Sequence, residues 1–232
     1  MDDRPGQTFV AARVAARTRP ATASDVPHVA AIFGRAFGDY RRAFGVDAET
    51  LGQLWEPSLH ARIASTIVAE LPDGTIAGFA VVVRPGARER YGRRGDEWRQ
   101  LVAWWRRIGP AILWRLPSFF LPMALAYARR SARRDELYVS LLAVDPAWQG
   151  RGIGQALLAA AEQEARAAGA GAILLHTASN NARARAAYAR AGYELVCTVR
   201  APWLGPAGIP AYVALRKALR PEPTPQLDAL AG

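Results

Sequence analysis

The stretch LYVSLLAVDPAWQGRGIGQALLAAAEQEARAAG, Leu137 to Gly169, decides the fold. Its first eight residues form a continuous apolar and β-branched run of the length of a buried strand. The strand ends at Asp145-Pro146, and the chain turns through Gln149, Gly150, Arg151, Gly152, Ile153 and Gly154 into an Ala/Leu/Glu-rich helix that stops at Gly169. In such a turn successive backbone N–H groups face one point without bulky side chains in the way. The helix N-terminus adds its dipole, so the point attracts an anion of phosphate or pyrophosphate type. Two familiar phosphate loops do not fit. Counting from Gly150 or Gly152, a third glycine of G-x-G-x-x-G would fall on Gln155 or Leu157, and no Gly-Lys-Ser/Thr follows. What remains is Q-x-x-G-x-G after a buried strand.

Working outward, AGAILLHT is the next strand, and together with Leu137–Gly169 it makes a βαβ unit with one parallel pair. NNARARAAYARAG reads as a short helix capped by asparagine and closed by Gly192, and YELVCTVRAP and PAYVALRKAL read as two further strands. Upstream, Val14 to Arg19 is a short strand, and a helix starts at Ser24 or Asp25 with apolar Val29, Ile32, Phe33 and Phe37 along one face. A second helix through AETLGQLWEPSLHARIA is expected to bend or break at Pro57. Thr66 onward is a hairpin around Pro72-Asp73-Gly74. The periodicity then fails from Arg84 to Arg134.

With 232 residues and 51% hydrophobic content the chain can bury one core, read here as a single domain over 13–219 with a helical insertion at 85–134 and flexible tails at 1–12 and 220–232. The first residues carry no basic and apolar signal pattern, so a cytoplasmic location is expected. Cys197 is the sole cysteine, which leaves no internal disulfide and no multi-cysteine metal site; no metal is expected. The net charge of +10 would suit a polyanion. Yet Lys217 is the only lysine, and the arginine excess comes without an aromatic-studded basic helix, so nucleic acid is not an expected partner. The apolar run WWRRIGPAILWRLPSFFLPMALAYARR, Trp104 to Arg130, raises a membrane question. A spanning helix needs about 20 apolar residues, and Ile108 to Ala128 has that length but contains Arg115 and three prolines. Spanning is rejected. Peripheral contact with a bilayer is the lesser alternative to a lid over a substrate cleft.

The residues resemble the GNAT superfamily of acyl-CoA-dependent N-acetyltransferases. Gln149, Gly152 and Gly154 match its R/Q-x-x-G-x-G/A loop, and Asn181, Ala184, Ala187, Tyr188, Gly192 and Tyr193 match N-x-x-A-x-x-hydrophobic-Y followed by G-F/Y. The resemblance covers Leu137 to Arg200 well and the remainder in outline, and the layout is similar to puromycin N-acetyltransferase-like small-molecule enzymes. It implies an α/β fold, an α+β mixed sheet of about seven strands, mostly antiparallel with a splayed parallel pair and flanked by helices. It implies acetyl-CoA as co-substrate, a small amine acceptor as the other partner, and direct attack of the neutral amine on the thioester. On that resemblance backbone groups of Leu142, Ala143 and Val144 pair with the pantetheine arm, and amides from Gln149, Gly150, Arg151, Gly152, Ile153, Gly154 to Gln155 hold the pyrophosphate. A strand N–H near Leu142 stabilises the oxyanion, and Tyr188 is the general acid toward the leaving sulfur. Asn181 bonds the pantetheine or caps its helix, and adjacent Asn180 can take either part. The glutamate that some members carry in the strand before the loop has no counterpart, its place lying near Tyr138. Candidates for the base are therefore Glu136, His176, and Asp39 or Tyr40. A protein N-terminal or lysine acetyltransferase, a non-catalytic acyl-CoA sensor and a homodimeric assembly stay open.

Overall fold

The computed structural model describes residues 14–87, 96–111, 132–200 and 209–219, with Arg115, Pro117, Leu121 and Ala124 between the second and third blocks. Both expected tails and much of the insertion lie outside them. Seven strands form one sheet in the order β1-β2-β3-β4-β5-β7-β6. They are β1 (Arg17–Pro20), β2 (Thr66–Glu70), β3 (Ile76–Val83), β4 (Glu136–Val144), β5 (Ala172–Ala178), β6 (Glu194–Arg200) and β7 (Ala211–Ala218). Among the described residues only β4 and β5 pair in parallel; every other neighbour is antiparallel. The helices are α1 (Val26–Ala36), α2 (Gly38–Phe44), α3 (Ala48–Ala61), α4 (Asp96–Ile108), α5 (Ile153–Ala167) and α6 (Ala182–Arg190).

The two faces of the sheet are covered differently. On one, α1 buries Val29, Ile32 and Phe33 and α3 buries Leu51, Leu54 and Trp55 against Val68, Phe79 and Val81. On the other, Ile153, Leu157, Leu158 and Ala161 of α5 pack on Ala80, Leu137, Val139 and Leu175. Strand side chains alternate between faces, so β4 should keep one parity along its length. It does not. Val81 stands opposite Leu141 and Val82 opposite Val139, which leaves Ser140 as an extra residue in the ladder. Past that bulge the parity inverts: Leu137 and Val139 face α5, but so do Leu142 and Val144, while Leu141 and Ala143 turn to α1 and α3.

Helices α1 and α3 cross with their backbones in contact. A Cβ added to Gly34 would lie 1.9 Å from the Ala48 carbonyl oxygen, and one added to Gly52 would lie 2.7 Å from that of Ala30. Asp47 caps α3 by accepting from the Thr50 N–H at 2.7 Å. Of the bend or break expected at Pro57, the break is not made: the helix runs on to Ala61 with Pro57 inside it. Pro57 and Gln53, whose carbonyl loses its donor, both belong to the exposed residues of the helix, where the missing bond costs least. Between α1 and α3 the chain makes α2, an additional short helix that the periodicity does not reveal. The insertion docks here: Trp104 of α4 is buried, its ring 4.6 Å from that of Trp55 and 5.0 Å from that of Phe44. No helix among the described residues is long and apolar enough to cross a membrane.

Candidate active site

The parallel ladder joins Glu136–Val139 to Ala172–Leu175 and then stops. Beyond it β4 stays with β3 as far as Val144 opposite Gly78, and β5 stays with β7 as far as Ala178 opposite Tyr212. The two strands diverge, and a cleft of about 730 Å³ opens between them. Because its lining comes from both faces, the cleft passes through the sheet. Loop and α5–α6 residues line it on one side; Phe37, Asp39, Tyr40 and Tyr212 line it on the other. Backbone groups that β4 turns toward β5 after Val139 have no strand to meet, and Leu142, Ala143 and Val144 form that lip. The hydroxyl of Ser140, at the bulge, is buried without a hydrogen-bond partner among the described residues.

At the mouth stands the glycine loop. Asp145 accepts from the Ala147 N–H at 3.0 Å, starting the turn, and from the Arg35 guanidinium at 2.5 and 3.0 Å, which fastens α1 to it. Gln149 donates its side-chain amide to the Val144 carbonyl at 3.1 Å, folding the loop back on its own strand. Gly150 and Gly152 have φ of +84° and +88°, a conformation that L side chains adopt only with strain, so glycine is required at both. The amides of Gln155 and Ala156 turn back to the Gly152 carbonyl at 3.0 and 3.1 Å. The amides of Gln149 through Gly154 make no backbone bond among the described residues and stay available to an anion, and Gln155 also lines the cleft. A Cβ on Gly154 would meet only Val144, at 3.6 Å, so the protein itself tolerates alanine there.

Tyr188 lies in the cleft wall on the α5 side, 7% exposed, and burial pushes its hydroxyl up to about 12. It is presented by α6, whose first turn is capped by the Asn181 side chain accepting from the Ala184 N–H at 3.1 Å. Of the two roles expected for Asn181, capping is the one seen; Asn180 also lines the cleft. His176 projects from β5 on the opposite side, its ring 5.6 Å from that of Tyr138. Asp39, near the start of α2, is half-buried, and that burial raises its carboxyl above the usual carboxylate range against the opposing pull of its ion-pair partner Arg42.

Glu136 is elsewhere. It sits where β4 and β5 are still paired, its side chain fully buried, accepting from Arg216 Nε at 2.8 Å and from the Arg133 N–H at 2.9 Å, and it does not line the cleft. Removing one partner of such a pair strands a charge. Glu136→Ala is expected to cost roughly 3 kcal/mol in a urea melt and to leave coenzyme affinity unchanged by calorimetry. A fall in turnover at unchanged stability would restore it as the base.

Three lining residues carry no sequence signal of their own. Tyr212 reads as an ordinary strand tyrosine, Arg183 as one of many helix arginines, and Arg42 as part of a short charged run; all three line the cleft, Tyr212 through the pairing of β7 with β5.

A splayed parallel pair with a glycine loop at its mouth frames one cleft. The chain belongs to the acetyltransferase (GNAT) family, whose model matches residues 31–193. Solved structures similar to it include polyamine N acetyltransferase from Drosophila melanogaster, 15% identical with a TM-score of 0.60 over 88% of this chain and 100% of that one. Ribosomal-protein-S18-alanine N-acetyltransferase from Escherichia coli is 17% identical with a TM-score of 0.50 over 92% and 99%. Nourseothricin acetyltransferase is 25% identical with a TM-score of 0.43, over 67% of this chain and 65% of that one. A search of curated proteins found no match.

Proposed function

We propose that this protein transfers the acetyl group of acetyl-CoA to a primary amine of a small or amphipathic molecule. The observation that carries the reading is the convergence of the open β4 lip, the loop of Gly150 to Gly154 and Tyr188 on one cleft. The residues fit the coenzyme: the loop offers unspent amides to its pyrophosphate, and the lip offers strand groups to its pantetheine arm. Bound there, the coenzyme supplies an activated acyl group on a sulfur that can leave.

The two sides of the sheet divide the labour. The loop and Tyr188 hold the coenzyme side, where Tyr188 keeps its proton through neutral pH and donates to the departing sulfur. The acceptor side belongs to α1, α2 and β7, where Phe37, Tyr40 and Tyr212 line the cleft. Aromatic side chains at that wall suit a small or amphipathic amine. Two groups, His176 and Asp39, reach that side and can take the amine's proton. The variant, His176→Ala or Asp39→Asn, that flattens the acidic limb of the kcat/KM profile identifies the base. If neither limb moves, the proton leaves through water. The function itself is tested by thiol release from acetyl-CoA across antibiotics, polyamines, arylamines, amino acids and peptides. Turnover with small amines is expected, turnover with peptides alone would replace the acceptor class, and coenzyme binding without turnover would make the protein a sensor.

A further inference from the structure

The loop's own arginine is turned aside. The Arg151 guanidinium stacks on the Trp148 ring, 4.8 Å from its centroid, and the Arg151 carbonyl accepts from the Val14 N–H at 3.3 Å. A different guanidinium covers the loop. Arg183, in the first turn of α6, donates from Nη1 to the Gln149 side-chain oxygen at 2.9 Å. Its Nη2 lies only 3.0 Å from where a Cβ on Gly150 would be. Arg183 thus reaches from the β5 arm of the splay across to the β4 arm, over the place where the amides of Gly150 to Gly154 converge. The nearest acidic group of the turn, Asp145, is held by Arg35 and does not compete for it.

We propose that Arg183 is a phosphate-binding residue, which grips the pyrophosphate of the coenzyme from the α6 side and completes with a charge the cradle that the loop builds from neutral amides. The proposal rests on the acetyl-CoA reading of the cleft. A guanidinium suits this task because its fork of donors can serve two phosphate oxygens while one nitrogen stays on Gln149. It also makes coenzyme binding a bridge between the two diverging strands, so the ligand closes the splay that admits it.

Calorimetric titration of the full chain with CoA and with 3′-dephospho-CoA tests it. Arg183→Ala is expected to weaken both ligands about tenfold, with the loss shrinking when salt is raised from about 0.05 to 0.5 M. The same loss is expected in a Gln149→Ala background, since the charge acts on the ligand and not through Gln149. An unchanged affinity overturns the proposal. So does a loss confined to CoA, which would assign Arg183 to the 3′-phosphate, and so does a loss that vanishes without Gln149, which would make it a brace. Arg183→Lys, retaining the charge, covers the case in which the alanine variant does not fold. A wild-type chain that binds neither ligand would reject the acetyl-CoA reading itself, a result distinguishable from all of these.

Discussion

Tyr188→Phe is expected to lower turnover about 100-fold while leaving the affinity for CoA within about twofold. The hydroxyl lies in the cleft wall, and its pKa of about 12 keeps it protonated at any pH at which an amine substrate is assayed. Complete transfer of that proton to a thiolate of ordinary pKa near 8.5 is uphill by about 5 kcal/mol. Donation of a hydrogen bond to the sulfur as its charge develops therefore carries the effect, and the loss expected is that of one well-placed donor. The sign of the pH dependence follows. A raised tyrosine pKa preserves the donor as pH rises, so any alkaline fall in rate below about pH 10 belongs to another group. Turnover unchanged in the phenylalanine variant would remove Tyr188 from the chemistry and leave it as a packing residue against Tyr193.

Gly34→Ala is expected to cost roughly 3 kcal/mol and to lower Tm by about 6–12 °C. The added methyl would stand 1.9 Å from a backbone oxygen of α3, with the Ala48 carbonyl carbon at 2.9 Å and the Gly52 nitrogen at 3.1 Å, so no side chain can swing away to relieve it. The helices must separate. Their separation reaches the site, because α1 holds Asp145 through Arg35 and leads directly into the turn that places Asp39 and Tyr40 in the cleft. Gly154→Ala is the contrasting case, with an ordinary 3.6 Å contact and an expected Tm close to that of the unchanged protein. Equal melting of the two variants would show that α1 and α3 do not press on each other at this crossing.

Much of the coenzyme side is legible in the amino-acid sequence. The buried run of β4, the glycine turn, the Ala/Leu/Glu helix and the Asn-capped helix bearing Tyr188 are each specified within a few consecutive residues. Backbone conformation and helix capping act over that range, so pattern alone locates them. The acceptor side is not legible in the same way. Helix α2 is seven residues long, too short for periodicity, and it carries Asp39 into the cleft. Trp104 stands in the sequence at the edge of a membrane-like run, yet it packs edge-to-face on Phe44 and tilted against Trp55.

Glu136 and His176 show where the boundary falls. In the sequence they are alike, two titratable residues on adjacent strands with nothing to rank one above the other. The sequence alone determined that a glycine loop opening a helix follows a buried strand, because glycines with positive φ and a helix N-terminus are local necessities. Only the tertiary structure decided that the parallel pair ends at Val139. From that follow the burial of Glu136 with Arg216 where the strands are paired and the opening of His176 onto the cleft where they part. The same holds for the bulge at Ser140, which sends alternate side chains to opposite faces from those that simple alternation predicts. Strand divergence and register depend on which distant segments satisfy each backbone edge, and that balance is settled only when all seven strands are in place.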